Sequence, residues 1–136
     1  MNEAVLDASV VLKWFRKTET HSDAAQRLRD AFQTGALSVV VPPLLHIEII
    51  NAAGRKWQWP RAALRNLAQA MDTLGFRIRE APLAAIAEWT ARGLSAYDSA
   101  YVALADVHRL PLITEDRLIL STARRLARPL AALGPT

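Results

Sequence analysis

Ala4-Val5-Leu6-Asp7-Ala8-Ser9 is a short apolar run that ends on a carboxylate and precedes a helix-like segment. Such a run is typical of a fully buried strand, and it places Asp7 at the carboxyl end of that strand. Residues 110–116, Leu-Pro-Leu-Ile-Thr-Glu-Asp, repeat the pattern and end on Asp116. Open α/β sheets bind ligands outside the carboxyl ends of their strands. If the two strands are neighbours, Asp7 and Asp116 therefore project into one crevice.

The composition predicts one globular domain over residues 1–136. Of these 136 residues 51% are hydrophobic, which supplies a core without staples, and the absence of cysteine excludes disulfides and thiolate metal sites. We expect no signal peptide, because the N-terminus shows no basic n-region followed by an apolar h-region. We also expect no membrane span, because no uncharged apolar run approaches the roughly 20 residues that a spanning helix needs. A soluble, cytoplasmic protein is the resulting expectation. The formal net charge of +4 suits a polyanionic partner, but it also suits an ordinary basic surface.

Apolar runs and helical patterns alternate along the whole chain. We predict strands at the opening run, at 37–41, at 76–79 and at the Asp116-bearing run, and helices over 9–15, 22–34, 43–56, 60–74, 82–92, 96–107 and 116–126. Ser9 and Ser95 are the expected N-caps of the first and sixth helices. A short apolar piece, 129–133, closes the chain. Alternation of this kind predicts an α/β fold in which a parallel sheet lies between two helical layers.

Two further acids, Glu48 and Asp98, are candidates for the same site as Asp7 and Asp116. Glu48 lies in an apolar helix, where an ionised carboxylate needs a partner from elsewhere, a metal, or a route to solvent. Asp98 follows Ser95 by three residues, a spacing that resembles a capping box. Asp116 could likewise cap the last helix, and Asp7 could form an Asx turn. Taken singly, each of the four acids has an adequate structural explanation.

Taken together, the four acids indicate a metal site. None has Lys or Arg three or four residues away. Two carboxylates about 4 Å apart repel by about 4 kcal/mol at an effective dielectric of about 20, so a fold that gathers them must bind a cation, shift their pKa values or lose stability. All-oxygen ligands suit a hard divalent ion, Mg²⁺ or Mn²⁺. Such an ion can activate water against a phosphodiester.

The chain resembles the PIN domain family, and within it the VapC-type toxins of toxin–antitoxin pairs. The motifs that carry the resemblance are Leu6-Asp7-Ala8-Ser9 with Leu12-Lys13-Trp14, Pro42-Pro43 leading to Glu48 and Asn51, Leu94-Ser95-Ala96-Tyr97-Asp98-Ser99-Ala100-Tyr101 with Leu104-Ala105, and Leu112-Ile113-Thr114-Glu115-Asp116 with Leu118. They extend over residues 5 to about 120. Their order and separations are more specific than any one of them.

The resemblance implies a parallel sheet of about five strands and Mg²⁺- or Mn²⁺-dependent endoribonuclease activity. It also implies an RNA substrate, inhibition by a small cognate antitoxin and frequent homodimers. The acidic quartet of the family falls on Asp7, Glu48, Asp98 and Asp116 as metal ligands and catalytic residues, and Ser9, Asn51 and Thr114 match supporting polar positions. Glu115 ranks lower as a ligand, because adjacent strand residues face opposite ways.

Other functions remain open on the sequence. A phosphatase of the haloacid-dehalogenase type also begins from a strand-end Asp, but it wants a second acid two residues on, where this chain has Ser9. A receiver domain would need an acidic pair near the N-terminus and an Asp near residue 55. A non-catalytic RNA- or protein-binding module, whose acids only cap helices, is a third possibility. Hydrolysis by the expected nuclease would leave a 5′-phosphate and a 3′-hydroxyl.

Overall fold

A computed structural model describes residues 2–16 and 22–133, and its centre is a five-stranded parallel sheet. The strands are β1 (Glu3–Leu6), β2 (Ser38–Val41), β3 (Arg77–Ile78), β4 (Leu112–Ile113) and β5 (Ala127–Arg128). The helices are α1 (Ala8–Phe15), α2 (Ser22–Gln33), α3 (Leu44–Asn51), α4 (Arg61–Thr73), α5 (Leu83–Ala91), α6 (Ala96–His108) and α7 (Arg117–Thr122). A π-helical turn, Ala52–Lys56, extends α3, and a 3₁₀ turn, Leu130–Leu133, follows β5.

The strand order β3-β2-β1-β4-β5 makes β1 the central strand. Val5 lies opposite Leu112 and Leu6 opposite Ile113, and the Val5 N–H donates to the Pro111 carbonyl at 2.9 Å. From β1 the chain first runs outward through β2 and β3, and then returns to place β4 on the other side of β1. The gap between the carboxyl ends of β1 and β4 is therefore the switch point of the sheet, where folds of this type bind ligands. The expected pairing of these two strands is confirmed.

Two helical layers cover the sheet, as predicted. Because crossovers between parallel strands are right-handed, the connections through α1–α4 lie on one face and those through α5–α7 on the other. On the first face Trp14 packs against Phe32 and Phe76, with ring centroids 5.9 and 5.7 Å away. On the second face α6 lies against β1 and contributes a continuous buried run, 101–105. The fold is a three-layer α/β/α sandwich.

Two of the local predictions are wrong. Ser9 is not the N-cap of the first helix, because α1 begins at Ala8 and Asp7 occupies the N-cap position. The last helix does not reach Leu126 but ends at Thr122, and the residues after it form β5, which pairs in parallel with β4. The apolar residues of this segment, Ala123, Leu126 and Ala127, have helical spacing. Ala127 and Arg128 nevertheless form a fifth strand, which pairs with the free edge of β4. Within the described residues, no helix is long and apolar enough to cross a membrane.

The fold predicts that the cost of a leucine truncation depends on how deeply the side chain is buried within a helical layer. Leu104 on α6 is fully buried, whereas Leu83 on α5 is 82% exposed. We expect Leu104→Ala to lower the free energy of unfolding by about 2–5 kcal/mol, because it leaves a cavity in the core. Leu83→Ala, the matched control, should change it by no more than about 0.5 kcal/mol. Urea unfolding of both variants measures this, and equal effects would contradict the burial of this face of α6 against the sheet.

Candidate active site

Asp7 lies at the carboxyl end of β1 and is only 5% exposed. Two hydroxyls hold its carboxylate: Ser9 Oγ donates to Oδ1 at 2.5 Å, and Thr114 Oγ1 donates to Oδ2. Burial raises the pKa of Asp7 from its ordinary 3.8 to about 6, although the hydrogen bonds from Ser9, Thr114 and the Val10 backbone lower it. The negative charge of Asp116 raises the pKa further. A buried carboxyl with polar but uncharged partners is the anchor of the site.

Asp116 follows β4, the neighbour of β1, and is connected to Asp7 through one threonine. Thr114 Oγ1 accepts the Asp116 backbone N–H at 3.0 Å while it donates to Asp7. Asp116 Oδ1 accepts the Ile119 N–H at 2.9 Å and so caps α7. The prediction that Asp116 caps the last helix is therefore confirmed. The cap uses one lone pair of one carboxylate oxygen, which leaves the remaining acceptor sites of Asp116 for a ligand.

Asp98 sits in the first turn of α6. The Ser95 hydroxyl accepts the Asp98 backbone N–H at 3.0 Å, which confirms Ser95 as the N-cap of this helix. Asp98 is half-buried, and burial raises the pKa of its carboxyl. The negative charge of Asp116 raises that pKa as well, while hydrogen bonding with Ser95 lowers it. The structural and functional explanations of this acid hold together, because the capped turn delivers the carboxylate beside Asp116.

Glu48 reaches the same edge from α3, in the opposite helical layer. The sequence left its partner unidentified, and the structure supplies one: the Tyr101 hydroxyl donates to Glu48 Oε1. Burial raises the pKa of Glu48, the hydrogen bond from Tyr101 lowers it, and the charge of Asp98 raises it. Tyr101 was not among the predicted site residues. Its spacing of three residues from Asp98, which puts both on one helix face, was the available signal.

The four acids form one electrostatic cluster. The negative charge of Asp116 raises the pKa values of Asp7 and Asp98, and the negative charge of Asp98 raises the pKa of Glu48. Within residues 2–16 and 22–133 the ion pair observed joins Arg77 to Glu3 at 2.9 Å, and none of the four carboxylates pairs with Lys or Arg. The arrangement therefore concentrates negative charge at the switch point, and no ion pair with a described Lys or Arg neutralises any of the four carboxylates.

The supporting residues differ in what the structure says of them. Ser9 and Thr114 both hydrogen-bond to Asp7, as the preceding contacts describe. Asn51 is exposed, one turn after Glu48 on α3, and its supporting role stays a prediction. Glu115 is turned toward the end of the chain, because its Oε2 accepts the Leu130 N–H at 3.2 Å. The backbone N–H of Glu115 donates to Ser9 Oγ at 3.0 Å, which ties the loop after β4 to the start of α1.

The donor set fits a hard divalent cation in its chemistry. All four side chains offer carboxylate oxygens, one of them is almost fully buried, and the pKa values of three are raised. As they stand, no three His, Cys, Asp or Glu side chains of the described ranges are arranged to hold a metal ion. Glu48 and Asp116 each use one carboxylate oxygen for a contact within the protein, with Tyr101 and with the Ile119 N–H. An ion would have to draw the carboxylates together.

The raised pKa of Asp7 predicts how stability depends on pH. Because the folded-state pKa of about 6 exceeds the ordinary 3.8, the folded protein binds more protons between these values, and Asp7 destabilises it as pH rises through that window. Asp7→Asn removes this ionisation. In the presence of a chelator, the stability of the variant relative to wild type should therefore increase by about 3 kcal/mol between about pH 4 and pH 7, and stay constant above.

Urea unfolding at a series of pH values measures this difference. Asp72→Asn, which changes an exposed acid on α4, is the matched control and should show no such increase. If the stability difference between wild type and Asp7→Asn were the same at all pH values, it would contradict the conclusion that Asp7 is buried with a raised pKa.

Comparison with known proteins agrees with this architecture. The PIN domain family model matches residues 4–126. Among solved structures, PAE2754 from Pyrobaculum aerophilum is similar with 23% sequence identity and a TM-score of 0.71, over 97% of this chain and 92% of that one. FitAB bound to the IR36 DNA fragment is similar with 16% identity and a TM-score of 0.66, over 93% and 94% of the two chains. At these identities the likeness concerns the fold alone. No curated protein sequence matches the chain. Since the family model covers nearly the whole chain, including all four acids, the chain belongs to the PIN domain family.

Proposed function

We propose that this protein is a divalent-metal-dependent endoribonuclease and acts as the toxin of a toxin–antitoxin pair. The observation that carries the proposal is the electrostatic coupling of Asp7, Glu48, Asp98 and Asp116 at the switch point, where no ion pair within residues 2–16 and 22–133 neutralises them. PIN domains are generally nucleases, and they generally use divalent metals. A chain that only capped its helices with these acids would have no need to bury Asp7 or to bring its charge near that of Asp116.

The residues that would hold Mg²⁺ or Mn²⁺ are Asp7, Asp98 and Asp116, with Glu48 bound directly or through water. When bound, such an ion supplies an activated water and offsets the negative charge that develops on the phosphodiester. Ser9 and Thr114 keep the Asp7 carboxylate in place by hydrogen bonds to its two oxygens. Because these donors are neutral, they orient Asp7 without cancelling its charge, and the charge stays available to the ion.

Attack by water in line with the leaving 3′ oxygen gives a 5′-phosphate and a 3′-hydroxyl. This route needs no histidine as a general base. Tyr101 does not serve as a base either, because burial and its acidic neighbours raise its pKa and keep the phenol protonated. Arg117 is exposed and directly follows Asp116, so it is available for the phosphates of the substrate.

The toxin role rests on the likeness of the motifs to VapC-type toxins and on the structural likeness to FitAB. We propose a cognate antitoxin protein and a homodimer as the partners, RNA as the substrate and the cytoplasm as the location. The phosphatase alternative loses its support, because the position two residues after Asp7 holds Ser9, whose hydroxyl donates to Asp7.

Cleavage of RNA in the presence of Mg²⁺ tests the activity. We expect wild type to cleave and Asp7→Asn to be slower by about 100-fold or more, the scale on which an enzyme loses rate when one group that stabilises developing charge is removed. Asp72→Asn should cleave like wild type. The products should carry 5′-phosphate ends. Cleavage that survives a chelator, or 2′,3′-cyclic phosphate products, would refute the mechanism.

Thermal unfolding with and without Mg²⁺ tests the site independently of activity. Binding at about 100 times the dissociation constant stabilises a protein by about 2.7 kcal/mol, which raises the Tm of a domain of this size by about 5–15 °C. We expect this increase for wild type and Asp72→Asn, and its loss for Asp98→Asn and Asp116→Asn. An equal increase in all four proteins would place the ion elsewhere and favour the non-catalytic binding module.

A further inference from the structure

Tyr101 is a neutral side chain that lies among three of the four acids, Glu48, Asp7 and Asp98. Its ring is 2% exposed, on the face of α6 that also carries Asp98 one turn earlier. Its hydroxyl donates to Glu48 Oε1. Since α3 and α6 belong to opposite helical layers, this hydrogen bond joins the two layers across the carboxyl edge of the sheet.

The chemistry of the two groups fixes the direction of that hydrogen bond. An ionised carboxylate can only accept hydrogen bonds, so the Tyr101 hydroxyl is the donor to Glu48 Oε1. A carboxylate oxygen that accepts such a donor is held in orientation, whereas the second oxygen keeps all of its acceptor sites.

Glu48 needs an external restraint more than Asp7 or Asp116 does. Asp7 is held by two hydroxyls, and Asp116 Oδ1 accepts the Ile119 N–H at the start of α7. Glu48 has one more rotatable bond and lies in the middle of α3. Among the described residues, Tyr101 is its hydrogen-bond partner.

We propose that Tyr101 is a positioning residue for the divalent cation: its hydroxyl holds Oε1 of Glu48, so that Oε2 is the oxygen presented to the ion. The inference rests on the proposed function, because it assumes that Glu48 faces a bound metal. It assigns a role to a residue outside the acidic quartet and its Ser, Asn and Thr supports. It also restricts Glu48 to a one-oxygen contact, direct or through water.

A double-mutant cycle of metal affinity separates positioning from mere packing. The Mg²⁺ and Mn²⁺ dissociation constants of wild type, Tyr101→Phe, Glu48→Gln and the double variant are measured by titration calorimetry. We expect Tyr101→Phe to weaken binding by about tenfold or more, as for other residues that orient a metal ligand. In the Glu48→Gln background the same change should have no further effect, because the oriented carboxylate is absent. Tyr97→Phe, which changes an exposed tyrosine of the same helix, should bind like wild type.

Wild-type affinity in Tyr101→Phe, or losses that simply add in the double variant, would overturn the proposal. Failure of wild type itself to bind either ion would instead overturn the proposed function, and the Tyr101 proposal with it. The two failures are therefore distinguishable by the wild-type titration alone.

A spectroscopic measurement covers the case in which Tyr101→Phe does not fold. The chain has two tyrosines, Tyr97 and Tyr101, so protein labelled with 3-fluorotyrosine gives two ¹⁹F resonances. Tyr97→Phe assigns them. We expect Mg²⁺ to shift the Tyr101 resonance more than that of Tyr97, and Glu48→Gln to abolish the shift. A Tyr101 resonance that does not respond while calorimetry reports binding would overturn the proposal.

Discussion

The parallel pairing of β1 with β4 is the contact on which the site depends. Val5 and Leu6 lie in register with Leu112 and Ile113, so the chain leaves the two strands side by side at the same edge. That register brings Thr114 within hydrogen-bond reach of Asp7, although the two are 107 residues apart in sequence. A slip of one residue would turn Thr114 away from the carboxylate, because alternate strand residues face opposite sides. The apolar side chains that fix the register therefore also determine that Thr114 reaches the carboxylate of Asp7.

Hydroxyl groups, and not cations, satisfy the buried acids. Ser9 and Thr114 donate to Asp7, and Tyr101 donates to Glu48. An arginine at any of these positions would stabilise the folded protein more effectively as a counter-charge, but it would occupy the carboxylate and repel an incoming metal ion. Neutral donors lower the free energy of the ionised form by less, which is why burial still dominates and the pKa of Asp7 remains raised to about 6. The buried carboxylates therefore lower the stability of the fold, and their negative charge is not neutralised by the hydroxyl donors.

Much of the fold and part of the site could be predicted from local sequence. The apolar runs that end on Asp7 and Asp116 predicted two adjacent strands, and the spacing from Ser95 to Asp98 predicted the capped start of α6. What local sequence could not predict was decided by tertiary contacts. The segment after Thr122 becomes β5 because β4 offers an unpaired edge, and Ser9 donates to Asp7 because the helix begins one residue earlier than expected. The partner of Glu48 was missed for the same reason, since Tyr101 reaches it from another layer.

The four acids reach the site by two different routes, and this has a structural consequence. Asp7 and Asp116 come from the sheet and would stay together as long as β1 and β4 pair. Glu48 and Asp98 come from helices on opposite faces, and their separation depends on how both layers pack on the sheet. The Tyr101–Glu48 hydrogen bond spans this division, because it joins α6 to α3 at the edge where the acids meet. A change in the packing of either layer would therefore alter the Glu48 side of the site while leaving the Asp7 side intact. A residue that couples the two layers at that point is in a position to adjust the geometry of the acidic cluster without contributing any charge to it.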